Sequence, residues 1–138
     1  LKLTGAAGVM IGRAAQGQLW LPGAIASALA AGGKSAQTPA LSEQLRLQGD
    51  HLLRLHDFHG DHLGPRIARK HQAWLLESLT AQQVISAEAA RAWRQAFNRL
   101  ESSEAQVVCL RDMTDALMSA SLATLPSSQI CLQMSVAA

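Results

Sequence analysis

The chain has 138 residues, 49% of them apolar, and a formal charge of +2 at neutral pH, which suits one domain with a real hydrophobic core. Its longest apolar stretch, from Leu19 to Ala31, is interrupted by Pro22 and Gly23 and is too short to span a bilayer, and no basic segment leads into a signal-type cleavage site. Two cysteines, Cys109 and Cys131, have neither metal-site spacing nor the density of a disulfide scaffold. The expectation is a cytoplasmic protein.

The small net charge hides an asymmetry. Residues 1–99 carry eleven Lys/Arg against six Asp/Glu, a net +5, whereas residues 100–138 carry one Arg against four acids, a net −3. A basic first part can meet a polyanion; the acidic remainder cannot. Aromatic residues are few, with no Tyr and three Trp, so the core rests on Leu, Ala, Val and Ile.

In chain order, residues 5–11 read as a short buried strand, with Ala7–Ile11 at its centre, and Arg13–Leu19 as one or two helical turns. Pro22 fits a helix start, and "GAIASALAAGG" stops at the Gly32-Gly33 pair. "KSAQTPA" is a polar linker whose Thr38-Pro39 step disfavours helix at Thr38. From Ala40 a 3.6-residue period sets Leu41, Leu45, Leu52, Leu53 and His56 on one face, ending near Gly60. A further helix is expected from Pro65 to Leu79, with Ile67, His71, Trp74 and Leu75 facing inward. The next begins near Ser86, a capping residue followed by the first-turn Glu88, and turns Ala89, Trp93, Ala96, Phe97 and Leu100 inward. A last helix covers Ser103 to Met118. No internal repeat is present. The fold expected is mainly α: one βα fragment followed by a small helical bundle.

Two stretches carry chemistry. In "GVMIGRAAQG", residues 8–17, Gly12 permits close backbone approach, and the N–H groups of Arg13 and Ala14 can point at an anion; the alternative is an ordinary strand-to-helix turn. In "GPRIARKHQAWLL", residues 64–76, Arg66, Arg69 and Lys70 stand at i, i+3 and i+4. They therefore share a helix face able to track nucleic-acid phosphates, the alternative being a solvated basic face. His71 leans toward the apolar side, as a hydrogen-bonded core residue. His56, His59 and His62 are spaced by three with Gly60 between them, unlike a helical zinc pair at i, i+4, so no metal is expected. Cys109, among Val107, Val108 and Leu110, reads as a buried inert thiol.

Three blocks, "TGAAGVMIGRAAQGQLWL" (4–21), "LHDFHGDHLGPRIARKHQAWLL" (55–76) and "RQAFNRLESSEAQ" (94–106), together resemble the C-terminal part of bacterial tRNA-dihydrouridine synthases, most closely the B-type. The resemblance covers residues 1 to about 117. It departs from the family's pattern at Leu75, where an aromatic commonly follows the Trp, and at His59, where Tyr is common.

The resemblance implies a division of the chain. Residues 1–33 would be the last strand and helix of an FMN-binding (β/α)8 TIM barrel, 34–39 a linker, 40–117 a helical tRNA-binding domain and 118–138 a divergent tail. It further implies that Gly12 and Arg13 hold the FMN phosphate, the usual phosphate position after the late strands of such barrels. Arg66, Arg69, Lys70 and His71 would bind tRNA. The family reduces a D-loop uridine to dihydrouridine with hydride from a flavin that NADPH has reduced. Its catalytic cysteine and substrate-side lysine belong to the N-terminal barrel, missing from this chain, so the chain alone is expected to be inactive. The rival reading is a non-enzymatic helical RNA-binding module.

Overall fold

The computed structural model describes residues 4–32 and 37–123. Among the described residues a single 3-10 turn, Arg13–Ala15, precedes four helices: α1 (Leu21–Ala30), α2 (Leu41–Ala81), α3 (Ala87–Asn98) and α4 (Ser103–Ala123). The protein is mainly helical, and there is no strand among the described residues.

The longest element is a hairpin. Gly60, with φ 68° and ψ 178°, breaks α2, and this backbone region is essentially closed to any residue with a Cβ. The chain reverses there, so residues 41–59 lie antiparallel against residues 61–81. Three side-chain pairs mark the register. Gln44 Nε2 donates to Gln82 Oε1 at 3.1 Å, Gln48 Nε2 to Gln72 Oε1 at 3.3 Å, and the rings of His51 and His71 meet with 2.9 Å between their nitrogens. Pro65 follows the break by only five residues, where it forgoes just the bond its N–H would have returned toward Asp61. The second arm therefore starts at the glycine, one turn before the Pro65 start read from the sequence.

The other helix ends follow their local sequence. Ser86 Oγ accepts from Ala89 N–H at 3.1 Å, capping α3 as expected, and Ser102 Oγ does the same for Ala105 N–H at 3.2 Å ahead of α4. Pro22 sits in the first turn of α1. α2 closes with Gln83 at φ 60° and a bond from Val84 N–H to Leu79 C=O of 2.9 Å, the six-to-one pattern of a left-handed helix stop.

The core lies where α2, α3 and α4 converge. Leu45, Leu52, Leu75, Leu76, Leu79, Phe97, Met113 and Leu117 are buried together, with Ala68, Ile85 and Leu110 filling between them. A polar seam runs through this apolar mass. Gln106, fully buried on α4, accepts from His56 Nε2 at 2.9 Å and donates to Pro65 C=O at 3.0 Å. One side chain thus ties α4 to both arms of α2.

Several sequence expectations are corrected. Residues 5–11 form no strand; residues 4–10 are exposed, Met10 at 95%. A parallel strand takes its hydrogen bonds and its burial from neighbouring strands, and the described residues supply none. The helix expected over Arg13–Leu19 is one 3-10 turn of three residues. Leu53 and Ala96 are exposed, because the inward faces are narrower than a 3.6 period counted from apolar residues alone. On the second arm the buried line runs through Ala68, Gln72, Leu75, Leu76 and Leu79, leaving Ile67, His71 and Trp74 half-buried beside it. Within the 34–39 linker, residues 37–39 are irregular as expected; Gly33–Ala36, and the tail from residue 124 with Cys131, lie outside the described residues.

Candidate nucleic-acid interface and phosphate turn

Second-arm residues 66, 69, 70, 73, 74 and 77 recur at intervals of one and two helical turns, so they form one stripe along α2. They face Arg94 and Asn98 of α3, and the eight residues line an open groove of about 330 Å³. The predicted Arg66, Arg69 and Lys70 therefore do share one surface, but they are not equivalent there. Arg66 and Lys70 are exposed. Arg69 is half-buried and donates from Nη2 to the carbonyl of Leu100 at 3.1 Å, which holds the second arm against the connection between α3 and α4. Lys70 Nζ lies 4.8 Å from the centre of the Trp74 ring, within cation–π range.

His71 lies apart from that groove. With His51, Gln48 and Trp74 it lines a cavity of about 190 Å³ whose other wall is Gly12, Ala15, Gln16, Gly17 and Leu19. Trp74 thus stands between the basic groove and the Gly-Arg turn. Two constellations more than 45 residues apart in sequence, residues 8–17 and 64–76, become neighbours through one indole. Gly17 makes this contact possible: at φ +74°, a Cβ there would come 2.6 Å from the Trp74 carbonyl carbon and 3.1 Å from Ser78 Cβ.

The turn is open to solvent. Its first hydrogen bonds run from Ala15 N–H to Gly12 C=O at 3.1 Å and from Gln16 N–H to Arg13 C=O at 3.0 Å. The amides of Arg13 and Ala14 therefore precede the first bond of the turn. Gly12, Arg13 and Ala14 are exposed, and a Cβ at Gly12 would meet nothing within 4 Å. The backbone at Gly12 is therefore uncrowded, and the amides of Arg13 and Ala14 follow it directly.

His56 is buried in its bond to Gln106, whereas His62 is exposed, and among the described residues no three His, Cys, Asp or Glu side chains are placed to hold a metal ion. Cys109 is half-buried, and burial, with Asp112 nearby, pushes its thiol pKa up; it stays protonated near neutrality. No helix among the described residues is long and apolar enough to cross a membrane.

Comparison with known proteins bears on the same residues. The sequence pattern of the dihydrouridine synthase (Dus) family matches residues 1–120. The chain belongs to the Dus family. It is 44% identical over 112 residues to tRNA-dihydrouridine synthase B of Pseudomonas syringae, covering 81% of this chain and 31% of that protein. With the protein of the same name from Vibrio cholerae it shares 38% identity over 119 residues, 86% of this chain and 34% of the other. The Xanthomonas axonopodis counterpart is 41% identical over 118 residues, again 86% of this chain and 33% of the relative. The chain spans about a third of the length of these curated relatives. The whole of the basic groove and the Gly-Arg turn fall inside the Dus match.

For this Dus chain, sequence reading found the cations of α2 and missed their partners across the groove. Arg94 and Asn98 stand at i, i+4 on α3, a spacing visible in "RQAFN", but nothing in the sequence says which helix lies opposite. Trp74 was expected in the core and instead forms a wall.

Proposed function

We propose that this chain is the C-terminal portion of a flavin-dependent tRNA-dihydrouridine synthase, the enzyme that reduces a D-loop uridine of tRNA to 5,6-dihydrouridine. Residues 1–33 would complete an FMN-binding barrel, and residues 40–117 would form the helical tRNA-binding domain. Family membership and the names of the relatives as tRNA-dihydrouridine synthases support this reading; the basic groove between α2 and α3 is the observation within the chain that carries it.

Each residue then has a task. Gly12 would give the FMN phosphate access to the backbone, and the amides of Arg13 and Ala14 would donate to it, with the Arg13 guanidinium adding charge. When bound and reduced by NADPH, the flavin supplies the hydride that adds to the uracil ring. A base must leave its stack to be reached by such chemistry, so the energy that holds the tRNA has to come from contacts elsewhere. Arg66, Arg69 and Lys70 would supply it through phosphates, a sequence-independent attraction. His71, in the cavity beside Gly12, would position the Trp74 wall rather than sit among the phosphate-facing cations.

The test is binding of a tRNA transcript to the purified chain, followed by fluorescence anisotropy across a salt series. Binding that weakens steeply as salt rises is expected, and absence of binding at low salt overturns the reading. The alternative of a non-enzymatic RNA-binding module rests on a specific observation: the groove is formed wholly by α2 and α3. Flavin titration separates the two readings. The synthase reading expects FMN retention only when the barrel is joined to this chain, and a joined protein that holds no FMN favours the module.

A further inference from the structure

Among the groove residues one charge has the wrong sign for an RNA surface. Glu77 lies on the same stripe as Arg66 and Lys70, and its Oε1 is 3.5 Å from Arg94 Nη1 on the facing helix. Both side chains are more than half exposed, at 63% and 52%, so the pair is solvated and contributes little to holding the fold. The scaffold does not need it: α2 and α3 are already joined through the buried Phe97 and the leucines of the second arm. Glu77 and Arg94 also line the adjoining trough against Leu76 and Ala90, which places their bridge across the boundary between basic groove and apolar surface.

We propose that Arg94 is a phosphate-binding residue forming the second wall of the groove, and that Glu77 occupies it until an RNA phosphate takes its place. This rests on the tRNA-binding reading and deepens it. With Arg66 and Lys70 on one side and Arg94 on the other, a phosphodiester entering the groove is contacted from two helices, which fixes its direction as well as its distance. The competing carboxylate exacts a toll on every anion. A phosphodiester tract that brings several charges to Arg66, Lys70 and Arg94 at once outcompetes a single weak, exposed ion pair, whereas an isolated anion meets Arg94 already engaged. The bridge therefore biases the groove toward extended polyanions.

The experiment compares Arg94→Ala, Glu77→Gln and the pair Arg66→Ala/Lys70→Ala for tRNA-transcript binding over a salt series, with circular dichroism confirming the fold. All four side chains are solvent-exposed, so helicity is expected to be unchanged. Arg94→Ala is expected to weaken binding and to lower the log–log salt slope by about 0.7–0.9, one phosphate contact. Glu77→Gln is expected to tighten binding, by up to about fivefold, and to lose most of that gain when Arg94 is Ala. The proposal is overturned if Arg94→Ala leaves affinity and slope unchanged while Arg66→Ala/Lys70→Ala weakens binding, and equally if Glu77→Gln fails to tighten it. If the α2 pair also has no effect, the RNA-binding reading itself falls and the proposal falls with it.

Discussion

His51 Nε2 lies 2.9 Å from His71 Nδ1, so a proton can occupy only one of the two facing nitrogens. Burial pushes the pKa of both rings below the ordinary 6.5, and for His71 the neighbouring His51, Lys70 and His59 add to the effect. The folded state thus holds these imidazoles neutral where the unfolded chain begins to protonate them. With folded pKa values depressed, the contribution to stability is complete above 6.5 and is lost as pH falls through the folded values. The urea midpoint is expected to be lower at about pH 5 than at about pH 8. His51→Gln, which keeps a hydrogen-bonding group without a titrating one, should shrink that difference; an unchanged difference would show that the pair does not carry it.

The hairpin rests on Gly60. Its φ of 68° and ψ of 178° are closed to other residues, yet an added Cβ would meet nothing within 4 Å. Gly60→Ala is therefore a test of backbone strain alone, expected to cost about 1–3 kcal/mol in chemical denaturation. A substitution without effect would mean that the reversal relaxes elsewhere.

Gln106 offers the contrasting case of a buried polar hinge. Its side chain bonds both His56 Nε2 and the Pro65 carbonyl, and its loss leaves the buried His56 Nε2 without a partner while the Pro65 carbonyl keeps only its helical bond. Gln106→Ala should destabilise the protein by about 1–3 kcal/mol. Gln106→Glu restores an acceptor for His56 but puts no amide beside Pro65 C=O, and it should recover only part of the loss.

How much of this was legible in the sequence follows from what each signal measures. The break at Gly60, the Ser86 cap and the Ser103 start of α4 were readable, because they depend on local backbone chemistry, whereas the helix expected over Arg13–Leu19 shrank to one 3-10 turn. Burial of Leu45, Leu52 and Phe97 was readable from period. The strand over 5–11 was not realised, since strand pairing is supplied by other segments and an apolar run carries no information about whether they are present. Gln48, Gln72 and Gln106 were invisible as core residues: a polar side chain in an apolar stripe reads as a surface residue until its partner, up to 50 positions away, is known. Arg94 escaped notice for the same reason, being a groove residue only by virtue of the helix it faces.

The basic face supplies the last prediction, and the structure sharpens which residues test it. Arg66 and Lys70 are exposed, and among the described residues neither makes a hydrogen bond or ion pair, whereas Arg69 is engaged with Leu100 C=O. Arg66→Ala/Lys70→Ala should therefore weaken tRNA binding and lower the salt slope by about 1.4–1.8, two phosphate contacts, at unchanged stability. Arg69→Ala should behave differently, costing about 1–3 kcal/mol of stability by leaving the Leu100 carbonyl unpaired, along with any loss of affinity. Trp74→Ala separates wall from charge. Because the indole is only half-buried, its removal should cost about 1.5–3 kcal/mol, less than a core tryptophan, and should weaken binding even under conditions where the protein stays folded, since Lys70 loses the ring that orients it. Equal effects of Arg69→Ala and of the exposed pair on both stability and salt slope would mean that the three cations form one undifferentiated surface, and unchanged binding in every variant would assign the tRNA contact to another part of the molecule.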